Sequence, residues 1–333
     1  MKCVPVTEPN GPLNVVERET PSPERGQIGI VVEACGICHS DVFVTSGGFP
    51  GLELPRVPGH EIAGRVHAVG EGVTAWKVGD RVGVGWHGGH CFKCEACRTG
   101  DFLNCAEQQI TGISHDGGWA DYVVVPWESV ARIPEELPAA DAGPLLCAGV
   151  TTYNALRNSG ARPGDLVGVL GIGGLGHLGV QYAAKMGFHT VVLSRGAEKE
   201  TLARELGAHE YIDTTAEDPA ERLQTMGGAD VILATAPNAK AIGATFGGLD
   251  ARGKLVVVGA TSDPLEIPAF DLLSGRQVVG WPSGRPIDSE ATMQFSTLTG
   301  VRAQIETYPL EQAGEALQKV LENKVRFRAV LVP

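Results

Sequence analysis

Residues 166–176 read Leu-Val-Gly-Val-Leu-Gly-Ile-Gly-Gly-Leu-Gly, and this stretch decides the fold of the middle of the chain. The apolar run Leu166–Leu170 predicts a buried β-strand, and Gly171-Ile-Gly173-Gly174-Leu175-Gly176 follows it where a helix begins. Glycines in this pattern allow a tight turn and a close approach of the backbone to a pyrophosphate, whose charge the helix N-terminus favours. The stretch therefore predicts a dinucleotide-binding site.

The sequence after Pro163 alternates short apolar runs with helix-like segments, which is typical of a parallel sheet covered on both faces. Further strands are predicted at Thr190–Leu193, Glu210–Ile212, Asp230–Thr235, Leu255–Val258 and Gln277–Val279. Helices are predicted at Gly174–Gly187, Glu198–Leu206, Pro219–Met226 and Ala239–Leu249. With the first strand, these make the six parallel strands of a complete doubly wound dinucleotide fold.

The end of the second predicted strand bears on the choice of coenzyme. A site that prefers NAD places Asp or Glu there to bind the ribose hydroxyls, whereas this chain has Ser194-Arg195-Gly196. A serine does not repel a 2′-phosphate, and Arg195 offers a planar, charged donor for one. We therefore expect NADP(H) rather than NAD(H). In the alternative interpretation, Arg195 is solvated surface and the pocket accepts both coenzymes.

The chain before residue 150 has a different sequence pattern, in which short segments rich in β-forming residues are separated by Gly and Pro. Strands are predicted at Gln27–Glu33, Glu61–Val69, Arg81–Val84 and Ala120–Val125, which indicates a compact, irregular β domain. In the tail, the pattern predicts helices at Asp288–Thr299 and Leu310–Glu322 and strands at Gln304–Tyr308 and Arg328–Val332. The short connections suggest that the tail returns to the first domain.

Four of the eight cysteines lie within 15 residues, as Cys91, Cys94, Cys97 and Cys105. The spacing C-x2-C-x2-C-x7-C can bring four thiolates round one zinc ion, and four sulfurs leave no position for water or substrate. We therefore expect a structural zinc that holds a loop without a core of its own. An iron–sulfur cluster uses the same ligands, but the last spacing is long and no Pro follows Cys105. Free thiols are the remaining alternative, although four exposed cysteines this close would oxidise.

Three further residues of ligand type, Cys38, His60 and Cys147, lie far apart in the sequence and could converge in the fold. Two thiolates and an imidazole leave one position of a tetrahedral zinc open, which is the arrangement of a catalytic site. Taken alone, a cysteine in an apolar segment such as that of Cys147 is more often buried packing than a ligand.

The context of these three residues resembles the zinc-containing medium-chain alcohol dehydrogenases over essentially the whole chain. The similarity is carried by Cys35-Gly-Ile-Cys38-His39-Ser40-Asp41, by Gly59-His60-Glu61-Ile-Ala-Gly64, and by the segment Leu146–Tyr153. The four-cysteine segment lies where that family carries its structural zinc. The resemblance implies a GroES-like, β-rich catalytic domain at residues 1–152 and 283–333, and a Rossmann domain at residues 153–282.

The resemblance also implies roles for individual residues. Cys38, His60 and Cys147 would bind the catalytic zinc, and Glu61 would lie beside it and enter its coordination shell transiently. Asp41 would accept the imidazole N–H of His60 and so fix its tautomer. Cys3 and Cys35 match no ligand position.

Coenzyme contacts are implied at four more positions. His39 and Arg328 would flank the pyrophosphate, and Thr151 and Leu175 would pack behind the nicotinamide ring.

The implied activity is hydride transfer between an alcohol or aldehyde and the nicotinamide ring, with zinc holding the substrate oxygen. Ser40 occupies the family's hydroxyl position and would be the first proton carrier. The chain departs from the best-known members at Phe43, which stands in place of a relay histidine and puts the outer half of the relay in doubt. The proton would then pass through the ribose hydroxyl to His39 or directly to water.

Phe49 and Trp86 fall at positions that line the substrate pocket in similar enzymes. Two large rings would narrow that pocket and favour small or slender primary alcohols and aldehydes. As an alternative, either ring is ordinary core.

Composition limits the partners. The chain has 27 basic and 39 acidic residues and a net charge of −12, which argues against nucleic acid and anionic membranes. No apolar run approaches the ~18–20 residues of a membrane span, and the segment Met1–Pro5 lacks the apolar stretch of a signal peptide. We expect a cytoplasmic homo-oligomer, with a tetramer favoured over a dimer.

Three alternative functions fit this sequence less well. A zinc-free quinone reductase on the same fold would have no use for so many ligand-type residues. A four-cysteine zinc module that binds nucleic acid or protein, joined to a dinucleotide sensor, conflicts with the acidic charge. A polyol or formaldehyde-type dehydrogenase of the same family has no firm signature in this sequence.

Overall fold

The computed structural model describes residues 1–259 and 261–333. The chain divides into two compact units, one formed by Met1–Val150 with Ser283–Pro333 and the other by Thr151–Pro282. The first boundary lies after Val150 rather than after residue 152. Both ends of the chain thus build the first unit, and the second unit is inserted between them.

Short strands dominate the first 150 residues. They are β1 (Lys2–Cys3), β2 (Val16–Glu17), β3 (Gln27–Ile37), β4 (Ile62–Val69), β5 (Arg81–Val84), β6 (His87–Gly89), β7 (Gln109–Ile110), β8 (Tyr122–Pro126) and β9 (Val130–Arg132). The helices of this part are α1 (Val42–Thr45), α2 (Glu95–Arg98) and α3 (Ala139–Pro144).

The second unit begins within helix α4 (Val150–Arg157). Its strands are β10 (Leu166–Leu170), β11 (His189–Ser194), β12 (Glu210–Asp213), β13 (Ala229–Ala234), β14 (Leu249–Val257) and β15 (Gln277–Gly280). Its helices are α5 (Gly176–Lys185), α6 (Glu200–Glu205), α7 (Pro219–Thr225) and α8 (Ala239–Thr245). Within the described residues, the six strands form one parallel sheet in the order β12-β11-β10-β13-β14-β15. The predicted doubly wound α/β fold is confirmed.

The tail consists of α9 (Pro286–Thr299), β16 (Ile305–Pro309), α10 (Ala313–Leu321) and β17 (Arg328–Val332). Strand β17 pairs antiparallel with β3, and Ala329 lies opposite Ile37. The last strand of the tail thus lies in the same sheet as β3, between β16 and β3.

Short 3-10 turns and one π-helical turn connect these elements. The 3-10 turns are His39–Asp41, Phe102–Asn104, Trp127–Ser129, Ala197–Lys199, Phe246–Gly248, Ala269–Ser274 and Leu310–Gln312, and the π-helical turn is Leu145–Gly149.

Strand β3 is the centre of the first unit. It pairs with β4 along one edge and with β8 and β17 along the other, and Ile28, Ile30 and Cys35 on it are fully buried. The sequence predicted a strand that ends at Glu33, whereas β3 continues to Ile37. The extension pairs with β4 as far as Cys35 and with β17 from Cys35 to Ile37. Strand β17 lies almost 300 residues away, and local sequence does not reveal it as a partner.

Other element boundaries also differ from the prediction. Helix α5 begins at Gly176 instead of Gly174, because the glycines before it form the turn. Strand β14 begins at Leu249, six residues before the predicted start, since Leu249 pairs with Ala229 ahead of an irregularity in the ladder. The helical stretch from Ala139 to Arg157 was not predicted at all.

No helix in the described part of the chain is long and apolar enough to cross a membrane.

Candidate active site and zinc centres

Three segments of the first unit bring Cys38, His60 and Cys147 together. Cys38 follows the end of β3, His60 precedes the start of β4, and Cys147 lies on the π-helical turn Leu145–Gly149. Because Cys35 on β3 is opposite Ile62 on β4, the end of one strand lies beside the start of the other. The ligand atoms of these three residues and of Glu61 all lie within 4.8 Å of one another, and the two sulfurs are 3.8 Å apart.

Asp41 orients two of these ligands at once. Its Oδ1 lies 3.2 Å from Nδ1 of His60, and its Oδ2 accepts a hydrogen bond of 2.8 Å from the backbone N–H of Cys38. The carboxylate is almost completely buried, at 1% exposure. With Nδ1 engaged by Asp41, Nε2 is the nitrogen that His60 presents to the site.

The thiols of Cys38, which is buried, and Cys147, which is partly buried, form a hydrogen bond with each other. The hydrogen bond between the two thiols, together with His60, holds the pKa of Cys38 well below its usual value. The same contact raises the pKa of Cys147, and burial adds to that increase. Burial lowers the pKa of His60, but Asp41 and Cys38 together raise it well above its usual value. A divalent cation would favour the thiolate form of both cysteines and the neutral form of His60.

Beneath the ligands, Glu61 forms a buried ion pair with Arg328, the first residue of β17. Burial outweighs the opposing effect of the Arg328 guanidinium and raises the pKa of Glu61 to about 7. Within the described residues, Oε2 of Glu61 and Nε of Arg328 are buried without a hydrogen-bond partner. The guanidinium of Arg328 is thus engaged by Glu61. Its predicted contact with a pyrophosphate stays a prediction.

Ser40 lies among the ligand atoms. Its hydroxyl donates to Sγ of Cys38 over 3.1 Å and is 3.4 Å from Nε2 of His60. Phe43 is 43% exposed and makes an edge-to-face contact with Phe49, with the ring centroids 6.3 Å apart. The side chain of Phe43 offers no group that can carry a proton.

An apolar cluster adjoins the ligands. The ring of Trp86 lies edge-on to His60, with the centroids 5.0 Å apart. Trp86 and Phe49 are partly buried and pack in a cluster with Val6, Val44 and Ile113. Trp86 is thus in contact with a ligand, and Phe49 belongs to the same hydrophobic cluster.

The four cysteines of the second cluster also converge. The sulfurs of Cys91 and Cys97 are 4.0 Å apart, and those of Cys94 and Cys105 are 3.9 Å apart. Backbone N–H groups donate to three of the sulfurs; the N–H of Cys97, for example, donates to Sγ of Cys94 over 3.5 Å. Such N–H donors, that of Cys97 foremost, lower the pKa of Cys94 to about 6. Burial, by contrast, raises the pKa of Cys97 to about 12. Four sulfurs grouped in this way make a closed site suited to one zinc ion.

The glycine-rich turn of the second unit has no room for side chains on its inner side. Gly171 has φ of +97°, and a Cβ atom on Gly176 would lie 1.9 Å from the carbonyl oxygen of Gly171. A Cβ atom on Gly173, by contrast, would meet no atom within 4 Å. The turn thus packs tightly against the start of α5 at Gly176 and has free space beside its backbone at Gly173.

Thr235 supports this turn and was not singled out from the sequence. Its hydroxyl donates to the carbonyl of Leu170 over 2.7 Å. The only local signal was its position directly after the apolar run of β13.

The remaining predicted coenzyme residues are divided between the units. Ser194 is buried at the end of β11, and Arg195 after it is exposed. Thr151 is buried on α4, and Leu175 precedes α5. His39 is exposed and belongs to the first unit.

Comparison with known proteins identifies the family. The alcohol dehydrogenase GroES-like domain matches residues 24–135, and the zinc-binding dehydrogenase domain matches residues 174–297. Alcohol dehydrogenase patD of Penicillium expansum is 48% identical over 314 residues, which cover 93% of this chain and 91% of that protein. An alcohol dehydrogenase of Geobacillus stearothermophilus is 41% identical over 334 residues, which cover 99% of this chain and 98% of that protein. A cinnamyl alcohol dehydrogenase of Sorghum bicolor has a similar structure, with a TM-score of 0.89 and 34% identity over 99% of this chain and 97% of that chain.

The chain therefore belongs to the zinc-containing medium-chain alcohol dehydrogenase family, as its sequence motifs indicated. It is an oxidoreductase of the alcohol dehydrogenase type with a GroES-like and a Rossmann-type domain. Membership implies zinc and a nicotinamide coenzyme.

The buried ion pair generates the first prediction. Replacing Arg328 with Met leaves the Glu61 carboxylate buried without a cation, and we expect the free energy of unfolding to fall by about 3–5 kcal/mol. Urea denaturation at pH 8, above the pKa of about 7 for Glu61, measures the change. The double variant Arg328→Met with Glu61→Gln should recover most of the loss, because it removes both charges. Arg25→Met, at an exposed position of the same unit, is the control. A loss for Arg328→Met no larger than for this control would contradict the prediction.

Proposed function

We propose that the protein is a zinc-dependent alcohol dehydrogenase and aldehyde reductase that transfers a hydride between a small primary alcohol or aldehyde and NADP(H). NAD(H) is the less favoured coenzyme. The observation that carries the proposal is the convergence of the ligand atoms of Cys38, His60 and Cys147, together with that of Glu61, within 4.8 Å.

The donor set fits zinc. Two sulfurs and one imidazole nitrogen are ligands that Zn²⁺ prefers, and three protein ligands leave one position of a tetrahedron for substrate. A carboxylate oxygen of Glu61 lies beside them and would enter the coordination shell only transiently; its Oε2 atom is buried without a partner among the described residues. The four-cysteine cluster would hold a second, structural zinc, for which all positions are filled by sulfur.

When bound, the catalytic zinc would act as a Lewis acid that makes a substrate hydroxyl more acidic, and the coenzyme would accept or donate the hydride. Asp41 would keep His60 in the tautomer that presents Nε2, and it would hold the Cys38 backbone in place. Trp86 and Phe49 would shield the site from water and restrict the width of the substrate. Their size favours slender primary alcohols and aldehydes.

Ser40 would hold the departing proton on its Oγ atom, which lies within 3.4 Å of Nε2 of His60. The proton would then leave through the coenzyme ribose and His39, or directly to water, because Phe43 cannot pass it on. His39 is exposed, which fits a role at the outer end of this path.

The coenzyme would bind at the glycine-rich turn. The open space at Gly173 leaves room for a pyrophosphate against the backbone, and the closed inner side at Gly176 explains why a side chain is not tolerated there. Ser194 and the exposed Arg195 would receive a 2′-phosphate, with Arg195 as its charged donor. Thr151 and Leu175 would pack behind the nicotinamide ring, and Arg328 would assist at the pyrophosphate.

Metal content tests the proposal directly. Elemental analysis of the purified protein should give about two zinc ions per chain. Cys147→Ala should retain about one and lose nearly all alcohol-dependent coenzyme reduction, because two remaining ligands hold zinc poorly. Cys35→Ala, which changes a buried thiol outside both clusters, should keep both ions and its activity. A Cys147→Ala protein with full zinc content and full activity would rule out the proposed catalytic centre.

The proton route gives a second test. Ser40→Ala should slow turnover by about 100-fold or more, since general acid–base catalysis contributes about 10²–10⁴-fold. Ser40→Thr retains the hydroxyl and should keep most of the rate. Steady-state kinetics and zinc analysis of both variants make the comparison. If Ser40→Ala turns over nearly as fast as the unchanged enzyme, Ser40 has no part in the proton relay.

Coenzyme preference is the third test. The ratio of kcat/KM for NADPH to that for NADH should exceed one clearly, and Arg195→Gln should reduce it about tenfold or more because a charge-assisted hydrogen bond is lost. Arg222→Gln, at an arginine on α7 of the same unit, should leave the ratio unchanged. Equal values for the two coenzymes, or a preference for NADH, would refute the NADP(H) assignment.

A further inference from the structure

The turn that carries Arg195 is held by the neighbouring strand β12. The Tyr211 hydroxyl donates to the carbonyl of Gly196 over 2.6 Å, and the N–H of Gly196 donates to Oδ1 of Asp213 over 2.9 Å. The backbone N–H and the carbonyl of Gly196 are therefore both held by side chains from β12. The strand pairing adds to this constraint, because Ser194 lies opposite Asp213 in the parallel ladder.

The conformation of Gly196 depends on these contacts. Its φ is +85°, a region that other residues rarely adopt, and a Cβ atom would lie 2.2 Å from the Glu198 carboxylate. Since glycine has many alternative conformations, hydrogen bonds at both of its backbone groups are what select this one. Arg195 is thus placed between a buried strand residue, Ser194, and a clamped glycine, while its own side chain is exposed.

The carboxylate of Asp213 is engaged by the backbone and by Thr215. Besides the Gly196 N–H, its Oδ1 accepts hydrogen bonds from the hydroxyl of Thr215 over 2.7 Å and from the Thr215 N–H over 2.9 Å. These donors, the Thr215 hydroxyl foremost, lower the pKa of Asp213. In NAD-dependent folds, the acidic residue at the end of the second strand binds ribose hydroxyls. Here the acidic residue is Asp213 at the end of β12, the third strand in chain order of this unit, and its carboxylate accepts a hydrogen bond from the turn at Gly196 instead.

We propose that Tyr211 and Asp213 are positioning residues that fix the Ser194–Arg195–Gly196 turn in the conformation that receives a 2′-phosphate. They thereby set the degree of preference for the phosphorylated coenzyme. This inference rests on the proposed NADP(H) function. Neither residue touches the coenzyme in this proposal; each acts through the backbone of Gly196.

Binding of two adenosine fragments tests the inference without substrate or turnover. Isothermal titration calorimetry gives the Kd of adenosine 2′,5′-bisphosphate and of 5′-AMP, which differ in the 2′-phosphate. The unchanged protein should bind the bisphosphate more tightly. Tyr211→Phe should reduce the ratio of the two affinities about threefold to tenfold, as expected for one lost hydrogen bond, and Asp213→Ala about tenfold or more. Binding of 5′-AMP should change little in both variants.

Two further variants separate positioning from general stability. Asp213→Asn keeps an oxygen that can accept the same hydrogen bonds, so it should retain the preference of the unchanged protein. Asp218→Ala removes a carboxylate of the same unit that accepts from the N–H groups of Ala220 and Glu221 at the start of α7. That loss should lower stability by removing a helix cap, and it should leave the affinity ratio unchanged.

The outcomes distinguish this inference from the function on which it rests. In one outcome, the unchanged protein prefers the bisphosphate, but Tyr211→Phe and Asp213→Ala weaken the binding of both fragments equally or of neither. That outcome would overturn the positioning role and leave the NADP(H) proposal standing. An unchanged protein that binds both fragments equally would overturn both. If Asp213→Ala does not fold, Tyr211→Phe carries the test alone, because it removes a single hydroxyl from a partly buried ring.

Discussion

The pairing of β3 with β4 and β17 is the constraint on which the candidate active site depends. Cys38 lies just beyond one end of β3, His60 and Glu61 lie just before β4, and Arg328 begins β17. Register in a sheet is set by backbone hydrogen bonds and by which side chains face the core, so a slip of one residue would turn every side chain to the opposite face. The ladder therefore fixes the positions of the proposed metal ligand His60, its acidic neighbour Glu61 and the buried counter-ion Arg328 together.

The buried charged side chains of the candidate site offset one another's loss of solvation through ion pairs and hydrogen bonds. Asp41, His60, Glu61 and Arg328 are all nearly inaccessible to solvent, and each carries or shares a charge. An isolated buried charge is expensive, whereas a paired one recovers part of its lost solvation. Among these four residues, Oε2 of Glu61 and Nε of Arg328 have no hydrogen-bond partner in the described part of the chain, and both belong to the same ion pair. This unmet hydrogen-bonding capacity lies beside the proposed zinc ligands, where function can explain it.

In the second unit, the proposed coenzyme site is formed mainly by backbone atoms rather than by buried charged side chains. Gly171, Gly173 and Gly176 shape one turn, and Gly196 shapes another at the end of the adjacent strand. A glycine turn is accessible to a phosphate but has no side chain to stabilise its conformation. The structure supplies that stabilisation from neighbouring strands, through Thr235 at the first turn and through Tyr211 and Asp213 at the second. Residues that never contact the coenzyme can in this way influence which coenzyme is bound.

The sequence by itself determined the six-stranded parallel fold and the glycine-rich turn, because periodicity and turn chemistry are local properties of the chain. Cys38, His60 and Cys147 lie far apart in the sequence, and the resemblance of their segments to family motifs made them candidate zinc ligands. Only the tertiary structure decided that β3 continues to Ile37, that Cys147 lies on a π-helical turn, and that Arg328 is paired with Glu61. It alone also revealed the contacts of Thr235, Tyr211 and Asp213. All of these depend on partners that are distant in sequence, and the free energy of such pairings comes from strand register and burial, which no local pattern of residues encodes.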